Sequence, residues 1–274
     1  MDNYRVFGNP IKQSRSPFIH QQFALSTNQE LDYQAQLVEL DQFASTVKEF
    51  IAQGGKGANI TVPFKEQALE LADHLTERAK LAGAVNTLSF IDDKVYGDNT
   101  DGLGLVQDLL RHQVSLKQAR ILLLGAGGAA KGVILPLLEQ QPTEIVIANR
   151  TVSKAEQLCQ QFSALGHSNL SACGFNDVNE QAFDVIINAT SASLSGNIPS
   201  IPNSCIDANT VCYDMVYASE LTPFLQWATE QGTEKLIDGL GMLVGQAAES
   251  FSIWRGVKPQ VEPVLEDLRT QMTK

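Results

Sequence analysis

The sequence predicts an α/β protein of two domains: a discontinuous N-terminal α/β domain and, inserted within it, a doubly wound parallel-sheet domain. After Asp101, short apolar runs alternate with helical stretches in a regular βαβ series, the pattern of a parallel sheet covered on both faces. The first hundred residues also alternate strands with helices but include a hairpin. Helical segments follow the last strand, late enough to pack back on the first domain. These observations set the first domain at residues 1–101, completed by 239–274, and the second at 102–238.

Taken in order, residues 4–8 form a short strand and 17–26 a helix. Residues 33–38 alternate apolar and polar side chains, as a half-buried strand does. Asp41 stands in an N-cap position before a helix with Phe43, Val47, Phe50 and Ile51 on one face, and Gly54-Gly55 ends it. Residues 58–62 are the next strand and 64–72 the next helix. On that strand Ile60 and Val62 point one way, Asn59 and Thr61 the other. Thr87–Ile91 and residues 94–96, joined by Asp92-Asp93, read as a hairpin. Arg120–Leu124 is a strand that is continuously apolar after Arg120, as expected of a strand buried on both faces. Glu144–Ala148, residues 183–188 and Val211–Asp214 are further strands with helices between them. Residues 239–254 and 261–271 are helical.

Composition narrows the function classes. Of 274 residues, 43% are hydrophobic and 19% charged, enough apolar material for a core and unlike a disordered chain. The formal charge of −11 and the absence of any Lys/Arg-rich run argue against a nucleic-acid partner. They say little about small anions, because charges are screened over about 8 Å at physiological salt and local cations decide binding. The start, Met1-Asp2-Asn3-Tyr4-Arg5, is not a charged segment followed by an apolar run, and no stretch approaches the about 20 apolar residues of a membrane helix. Cys159, Cys173, Cys205 and Cys212 form no CxxC pair, so a reduced, cytoplasmic protein is expected. His20, His74, His112 and His167 are scattered, and no metal site is predicted.

The strongest single segment is the strand Arg120–Leu124 running into Gly125-Ala126-Gly127-Gly128-Ala129-Ala130-Lys131. Gly125 and Gly127 let the backbone turn tightly and approach a pyrophosphate, which then faces the N–H groups of a helix N-terminus. Ala130 replaces the third fingerprint glycine and is small enough for close helix packing. This strand–turn–helix context makes the second domain Rossmann-type and the turn a dinucleotide site rather than a structural glycine turn. Pro136 inside the following helix should kink it or cost a backbone bond. NAD sites carry Asp or Glu at the end of the second strand to hold the ribose hydroxyls. Here that strand ends in Asn149-Arg150-Thr151, with Lys154 one turn later. Arg150 offers a planar fork for a 2′-phosphate or for stacking on adenine, so the expected cofactor is NADP(H).

Four N-terminal segments combine polar and loop-forming residues: Gly8 to Pro17, with Ser14 and Ser16; Gly57 to Lys65, with Asn59 and Thr61; Gly83 to Thr87, with Asn86; and Gly97 to Gly102, with Asp101. Each alone is compatible with turn chemistry. Together, and in this order, they resemble shikimate dehydrogenases over essentially the whole chain. The resemblance implies that Ser14 and Ser16 hold the substrate carboxylate and that Asn59, Thr61 and Asn86 line the substrate. It implies that Lys65 and Asp101 are catalytic. It adds Tyr217 and Gln246 on the substrate side, and Thr190, Met215 and Gly239 to the cofactor contacts at Gly125, Ala126, Gly127, Gly128, Ala129, Asn149, Arg150, Thr151 and Lys154. Two positions depart from the family pattern: Gln21 where Asn is usual, and Ser193 where the loop after Asn188 usually carries glycine.

The implied reaction is reversible reduction of 3-dehydroshikimate to shikimate by NADPH, in the pathway to chorismate and aromatic amino acids. A hydride arriving at a ketone leaves an alkoxide that needs a proton, and Lys65 is a suitable donor or relay. The helix start beside it favours the neutral amine, whereas Asp101 favours and orients the ammonium. A mere surface ion pair is the plain alternative. The further alternatives are a quinate/shikimate dehydrogenase of broader cofactor use, a methylenetetrahydrofolate dehydrogenase-like enzyme, and a non-catalytic NADP(H)-binding regulator. The expected partners are the small-molecule reactants alone, on a monomer or homodimer.

Overall fold

The computed structural model describes residues 1–179 and 181–272. Its contacts divide the chain into two units, Met1–Gly104 with Leu243–Thr270, and Leu105–Met242 with Gln271 and Met272. Glu180, and Thr273 and Lys274 at the end of the stretch assigned to the first domain, lie outside the described residues.

The first unit contains β1 (Asp2–Gly8), β2 (Leu31–Leu37), β3 (Gly55–Ile60), β4 (His74–Leu75), β5 (Thr87–Ile91) and β6 (Lys94–Asp98) in one sheet ordered β2-β1-β3-β5-β6-β4. Its helices include α1 (Ser16–Ser26), α2 (Phe43–Ala52), α3 (Lys65–Leu71) and α4 (Glu77–Ala82). Side chains alternate across the strands, so each face collects its own core. Phe7, Ala58, Ile60 and Leu88 pack with Phe43, Val47 and Phe50 of α2 and with Phe64 and Ala68. Tyr4, Val6, Ile11 and Tyr33 form the other cluster, against which Trp254 packs.

Strand direction determines where the loops go. β1 and β3 run parallel, β5 is antiparallel to β3, and β6 is antiparallel to β5. The ends of β1, β3 and β6 and the start of β5 therefore fall on one edge of the sheet. That edge receives Gly8, Thr61, Asn86 and the run from Asp98 to Asp101.

Several local expectations are corrected. β3 begins at Gly55 and stops at Ile60 rather than covering 58–62. Pro63 has no N–H to extend the ladder, and Val62 is 62% exposed rather than facing the core. Asp41 does not cap α2; the cap position is Gln42, with no side-chain bond. The elements β4 and α4 went unread because two and six residues are too few to show a period. Thr76 caps α4 by accepting from the Ala79 N–H, and Gly83, at φ +62°, ends it.

In the second unit β7 (Arg120–Leu124), β8 (Glu144–Ala148), β9 (Leu170–Cys173), β10 (Val185–Asn188), β11 (Val211–Asp214) and β12 (Leu236–Asp238) form an all-parallel sheet ordered β12-β11-β10-β7-β8-β9. The connecting helices include α6 (Gly128–Leu138), α7 (Val152–Ser163) and α8 (Pro223–Glu230). Strand order reverses between β7 and β10, which opens a crevice beyond their C-terminal ends, the usual ligand position of this architecture. Pro136 lies in the final turn of α6, which ends two residues later, so few backbone bonds remain for it to disrupt. β10 starts at Val185 rather than at 183, because the Phe183 N–H bonds the Cys205 carbonyl instead of the sheet. The chain enters this unit within α5 (Asp101–Arg111) and leaves it within α9 (Leu240–Arg255), after which α10 (Glu262–Met272) ends the fold. Among the described residues no helix is long and apolar enough to cross a membrane, and no group of three or more His, Cys, Asp or Glu is placed to hold a metal ion.

Candidate active site

In the first unit, the sheet edge brings four predicted residues into one hydrogen-bonded chain. Lys65, the first residue of α3, donates from Nζ to Asp101 Oδ2 at 2.5 Å. Asp101 opens α5, and its other oxygen accepts from Asn86 Nδ2 at 2.8 Å. The same amide nitrogen lies 3.3 Å from Gln246 Oε1 on α9. Lys65 and Asp101 keep 30% and 19% of their side-chain surface open, enough for a small molecule to reach them. The backbone fixes both: the Val85 N–H donates to the Lys65 carbonyl at 2.9 Å, and the Asp101 N–H donates to Asn99 Oδ1 at 3.1 Å.

Asn86 is buried and its bonds leave no ambiguity of orientation. Its Oδ1 accepts from the Thr100 N–H at 2.9 Å and the Thr87 hydroxyl at 2.8 Å, so Nδ2 must face Asp101. Behind it sits a cluster of buried hydroxyls. Ser250, one turn beyond Gln246 on α9, lies 2.8 Å from Thr87 Oγ1 and 3.3 Å from Thr100 Oγ1. Gly104 and Gly245 let α5 and α9 approach closely, for a Cβ on Gly245 would stand 3.1 Å from the Gly104 backbone.

Asn59 lies within the protein's own hydrogen-bond network. It is only 6% exposed, and its polar atoms are engaged within the protein. Oδ1 accepts from the Tyr33 phenol at 2.7 Å, and Nδ2 reaches Ser250 Oγ at 3.0 Å and Asn86 O and Thr87 Oγ1 at 3.2 Å each. It ties Tyr33, Asn86, Thr87 and Ser250 together at the site. Tyr33 is buried, which pushes its phenol above the ordinary value, and the nearby Ser16 side chain opposes that. Ser14 accepts from the Ser16 N–H at 3.3 Å, so the two serines share one turn leading into α1. Thr61 bonds the Phe7 carbonyl through its N–H, and its methyl occupies the space a Cβ on Gly8 would need, 2.4 Å away. The Thr61 hydroxyl makes no hydrogen bond among the described residues.

The second unit carries the glycine turn. Gly125 follows β7 at φ +109°, a conformation L side chains rarely adopt, and a Cβ there would meet Thr190 Cγ2 at 3.2 Å. Thr190, just past β10, thus closes on the turn at the point where strand order reverses. Ala126 is buried, whereas Gly127, Gly128 and Ala129 are exposed at the start of α6, and a Cβ on Gly127 or Gly128 would meet nothing within 4 Å. The backbone there faces open space, the condition for a phosphate to come close to the helix N–H groups.

At the end of β8, Asn149 Nδ2 donates to the Thr151 carbonyl at 2.8 Å and shapes the loop. Arg150 and Lys154 are exposed and make no ion pair among the described residues. Thr151 occupies the cap position of α7 but makes no side-chain cap bond. Met215 and Tyr217 follow β11, and Gly239 precedes α9. A Cβ on Gly239 would lie 2.1 Å from the Met215 carbonyl, so only glycine fits there. Tyr217 belongs to this unit, whereas the other predicted substrate residues belong to the first. Sequence reading missed Thr100, Ser250, Tyr33 and Asp214. Only Asp214, at the end of the apolar strand β11, and Ser250, on the buried face of α9, interrupt an apolar pattern; Thr100 lies in a loop and Tyr33 in a largely polar strand.

The model of the shikimate dehydrogenase substrate binding domain matches residues 6–88, that of shikimate / quinate 5-dehydrogenase residues 107–196, and that of the shikimate 5'-dehydrogenase C-terminal domain residues 239–269. A shikimate dehydrogenase (NADP(+)) from Colwellia psychrerythraea is 64% identical over 99% of this chain and 98% of its own length. The crystal structure of an Ael1 enzyme from Pseudomonas putida is similar at a TM-score of 0.94 and 45% identity, over 100% of this chain and 99% of that one. A shikimate 5-dehydrogenase from Thermus thermophilus, crystallised with NADP(H) and shikimate, is similar at a TM-score of 0.86 and 31% identity, over 98% of this chain and 99% of that one.

Proposed function

The chain belongs to the shikimate dehydrogenase family, and from that premise we propose which of its residues carry the reaction. It is an NADP-dependent oxidoreductase that reversibly reduces 3-dehydroshikimate to shikimate, in the shikimate pathway of aromatic amino acid biosynthesis.

The reduced dinucleotide supplies the hydride that forms the new C–H bond at the ketone carbon. Lys65 supplies the proton that forms the O–H bond, leaving a neutral amine that regains a proton from solvent. In the oxidative direction Lys65 takes the hydroxyl proton instead. The single observation that carries this assignment is the 2.5 Å bond from Lys65 to Asp101, whose second oxygen is fixed by Asn86. One of the three Nζ protons is held by Asp101, so the ammonium is oriented while the others stay available. Asn86 and Gln246 line the same site, Ser14 and Ser16 take the substrate carboxylate, and Thr61 and Tyr217 complete its contacts.

The residues present fit NADP(H). Open space before Gly127 and Gly128 admits a pyrophosphate, and the loop from Ala126 to Ala129 cradles it. The end of β8 carries Arg150 and Lys154 rather than a carboxylate, so a 2′-phosphate meets cations there. Asn149, Thr151, Thr190, Met215 and Gly239 complete the cofactor set. Residues 1–101 with 239–274 serve mainly the substrate, and 102–238 mainly the cofactor. The enzyme works in the cytoplasm as a monomer or homodimer on small molecules alone.

The test is a nicotinamide-absorbance assay with shikimate and quinate, each against NADP+ and NAD+. Turnover is expected to be fastest with shikimate and NADP+. Equal use of NAD+, or a preference for quinate, contradicts the assignment.

A further inference from the structure

Asp214, the last residue of β11, is a fully buried carboxylate with no cationic partner among the described residues. Four donors replace one. Its Oδ2 accepts from the hydroxyls of Ser193 and Thr222, each at 2.6 Å. Its Oδ1 accepts from Asn188 Nδ2 and from the Val216 N–H, each at 3.1 Å. Burial pushes its carboxyl above the usual carboxylate range, and bonds from Ser193, Thr222, Val216 and Asn188 oppose that. Such a group is costly unless every lone pair is satisfied, so its surroundings tolerate little rearrangement.

The partners lie on loops that carry cofactor residues. Asn188 ends β10, is fully buried, and accepts at Oδ1 from the Thr190 N–H at 3.1 Å and the Thr190 hydroxyl at 2.7 Å. The Met215 N–H donates to the Asn188 carbonyl at 3.0 Å. Ser193 Oγ also lies 3.3 Å from Asn188 Nδ2, so its hydroxyl joins Asn188 to Asp214 a second time. Thr222 accepts from the Leu225 N–H at the start of α8 while donating to Asp214.

We propose that Asp214 and Ser193 are positioning residues of the cofactor site, fixing the Thr190 loop against the Met215 loop. This rests on the NADP reading of the second unit. Ser193 matters because its hydroxyl is the link from the far side of the β10 loop; without it, Asn188 alone holds that loop to the carboxylate.

The test uses the full-length enzyme with Ser193→Ala and Ser193→Thr, and Asp214→Ala and Asp214→Asn. Dissociation constants for NADP+ are measured without shikimate, steady-state constants for both substrates, and thermal unfolding midpoints. Ser193→Ala is expected to raise the NADP+ constants about 3- to 10-fold, the scale of one hydrogen bond, with the shikimate KM unchanged. Ser193→Thr restores them. Asp214→Asn retains more affinity than Asp214→Ala, because an amide still accepts at one atom and the two hydroxyls can rotate to accept from the other. Unchanged NADP+ constants in Ser193→Ala, with wild-type NADP+ binding intact, overturn this inference alone. So does an equal loss for both substrates accompanied by a lower unfolding midpoint. A wild-type protein that fails to bind NADP+ overturns the underlying reading as well.

Discussion

Asp101→Asn isolates the charge of the catalytic pair without changing its shape. In the wild-type site Asp101 accepts a hydrogen bond at each oxygen, from Lys65 at 2.5 Å and from Asn86 at 2.8 Å. An amide has only one acceptor. Either its nitrogen faces the Lys65 ammonium or it faces Asn86 Nδ2, and both arrangements set donor against donor. Asn86 is unable to flip in response, because its own oxygen is committed to the Thr100 N–H and the Thr87 hydroxyl. At least one charge-assisted bond is lost, worth about 1.5–3 kcal/mol. At about 1.4 kcal/mol per decade, turnover falls about 10- to 150-fold if that energy orients Lys65 in the transition state. The assay is steady-state oxidation of shikimate by NADP+, with kcat and both KM values. A Lys65→Ala, Asp101→Asn double variant should lose much less than the product of the single losses, since the residues act as a unit. Near-wild-type turnover in Asp101→Asn, or fully multiplicative losses, refutes the coupling.

Arg150→Ala should weaken NADP+ binding about 10- to 150-fold by removing one charge-assisted contact, with NAD+ use little changed; equal losses for both cofactors place Arg150 elsewhere than on the 2′-phosphate. Ser14→Ala with Ser16→Ala should raise the shikimate KM and leave NADP+ binding intact, whereas an unmoved KM reduces the serines to turn formers. His20 is fully buried, stacked on Tyr33 at 4.1 Å, and neither ring nitrogen has a hydrogen-bond partner among the described residues. Burial lowers its pKa from 6.5 to about 3, so the native state holds it neutral while the unfolded chain protonates. Relative to the unfolded chain its stability is complete above about pH 6.5 and is lost as pH falls from there toward about 3, at up to about 1.4 kcal/mol per unit. Urea unfolding between about pH 7 and about pH 5 should show that slope, and His20→Leu should remove one proton from it; an unchanged slope locates the acid sensitivity elsewhere.

What was legible in the sequence depended on range. The apolar run Arg120–Leu124 and the glycines after it announced a buried strand and a tight turn, and Gly125 does take a left-handed backbone. Lys65 and Asp101 stood out through the resemblance of their polar, loop-forming segments to the family, and the structure places each at the start of a helix. Asn59 marks the limit of a local period. Alternation correctly separated Asn59 from Ile60, but a two-residue period says nothing about what covers each face. Ser250 covers that one, from 191 residues away in the chain. The hydroxyls of Thr87, Thr100 and Ser250, and the donors around Asp214, join segments distant in sequence and have no local signature. The short strand β12, like α4, offers too few residues for a period.

The most direct test of the central claim is the turnover of Lys65→Ala across the pH range, with circular dichroism confirming the fold. If Lys65 moves the proton, kcat falls about 10²- to 10⁴-fold, the usual worth of a positioned acid or base, while binding of NADP+ and shikimate is better preserved. Near-wild-type turnover of the folded variant at every pH contradicts the account.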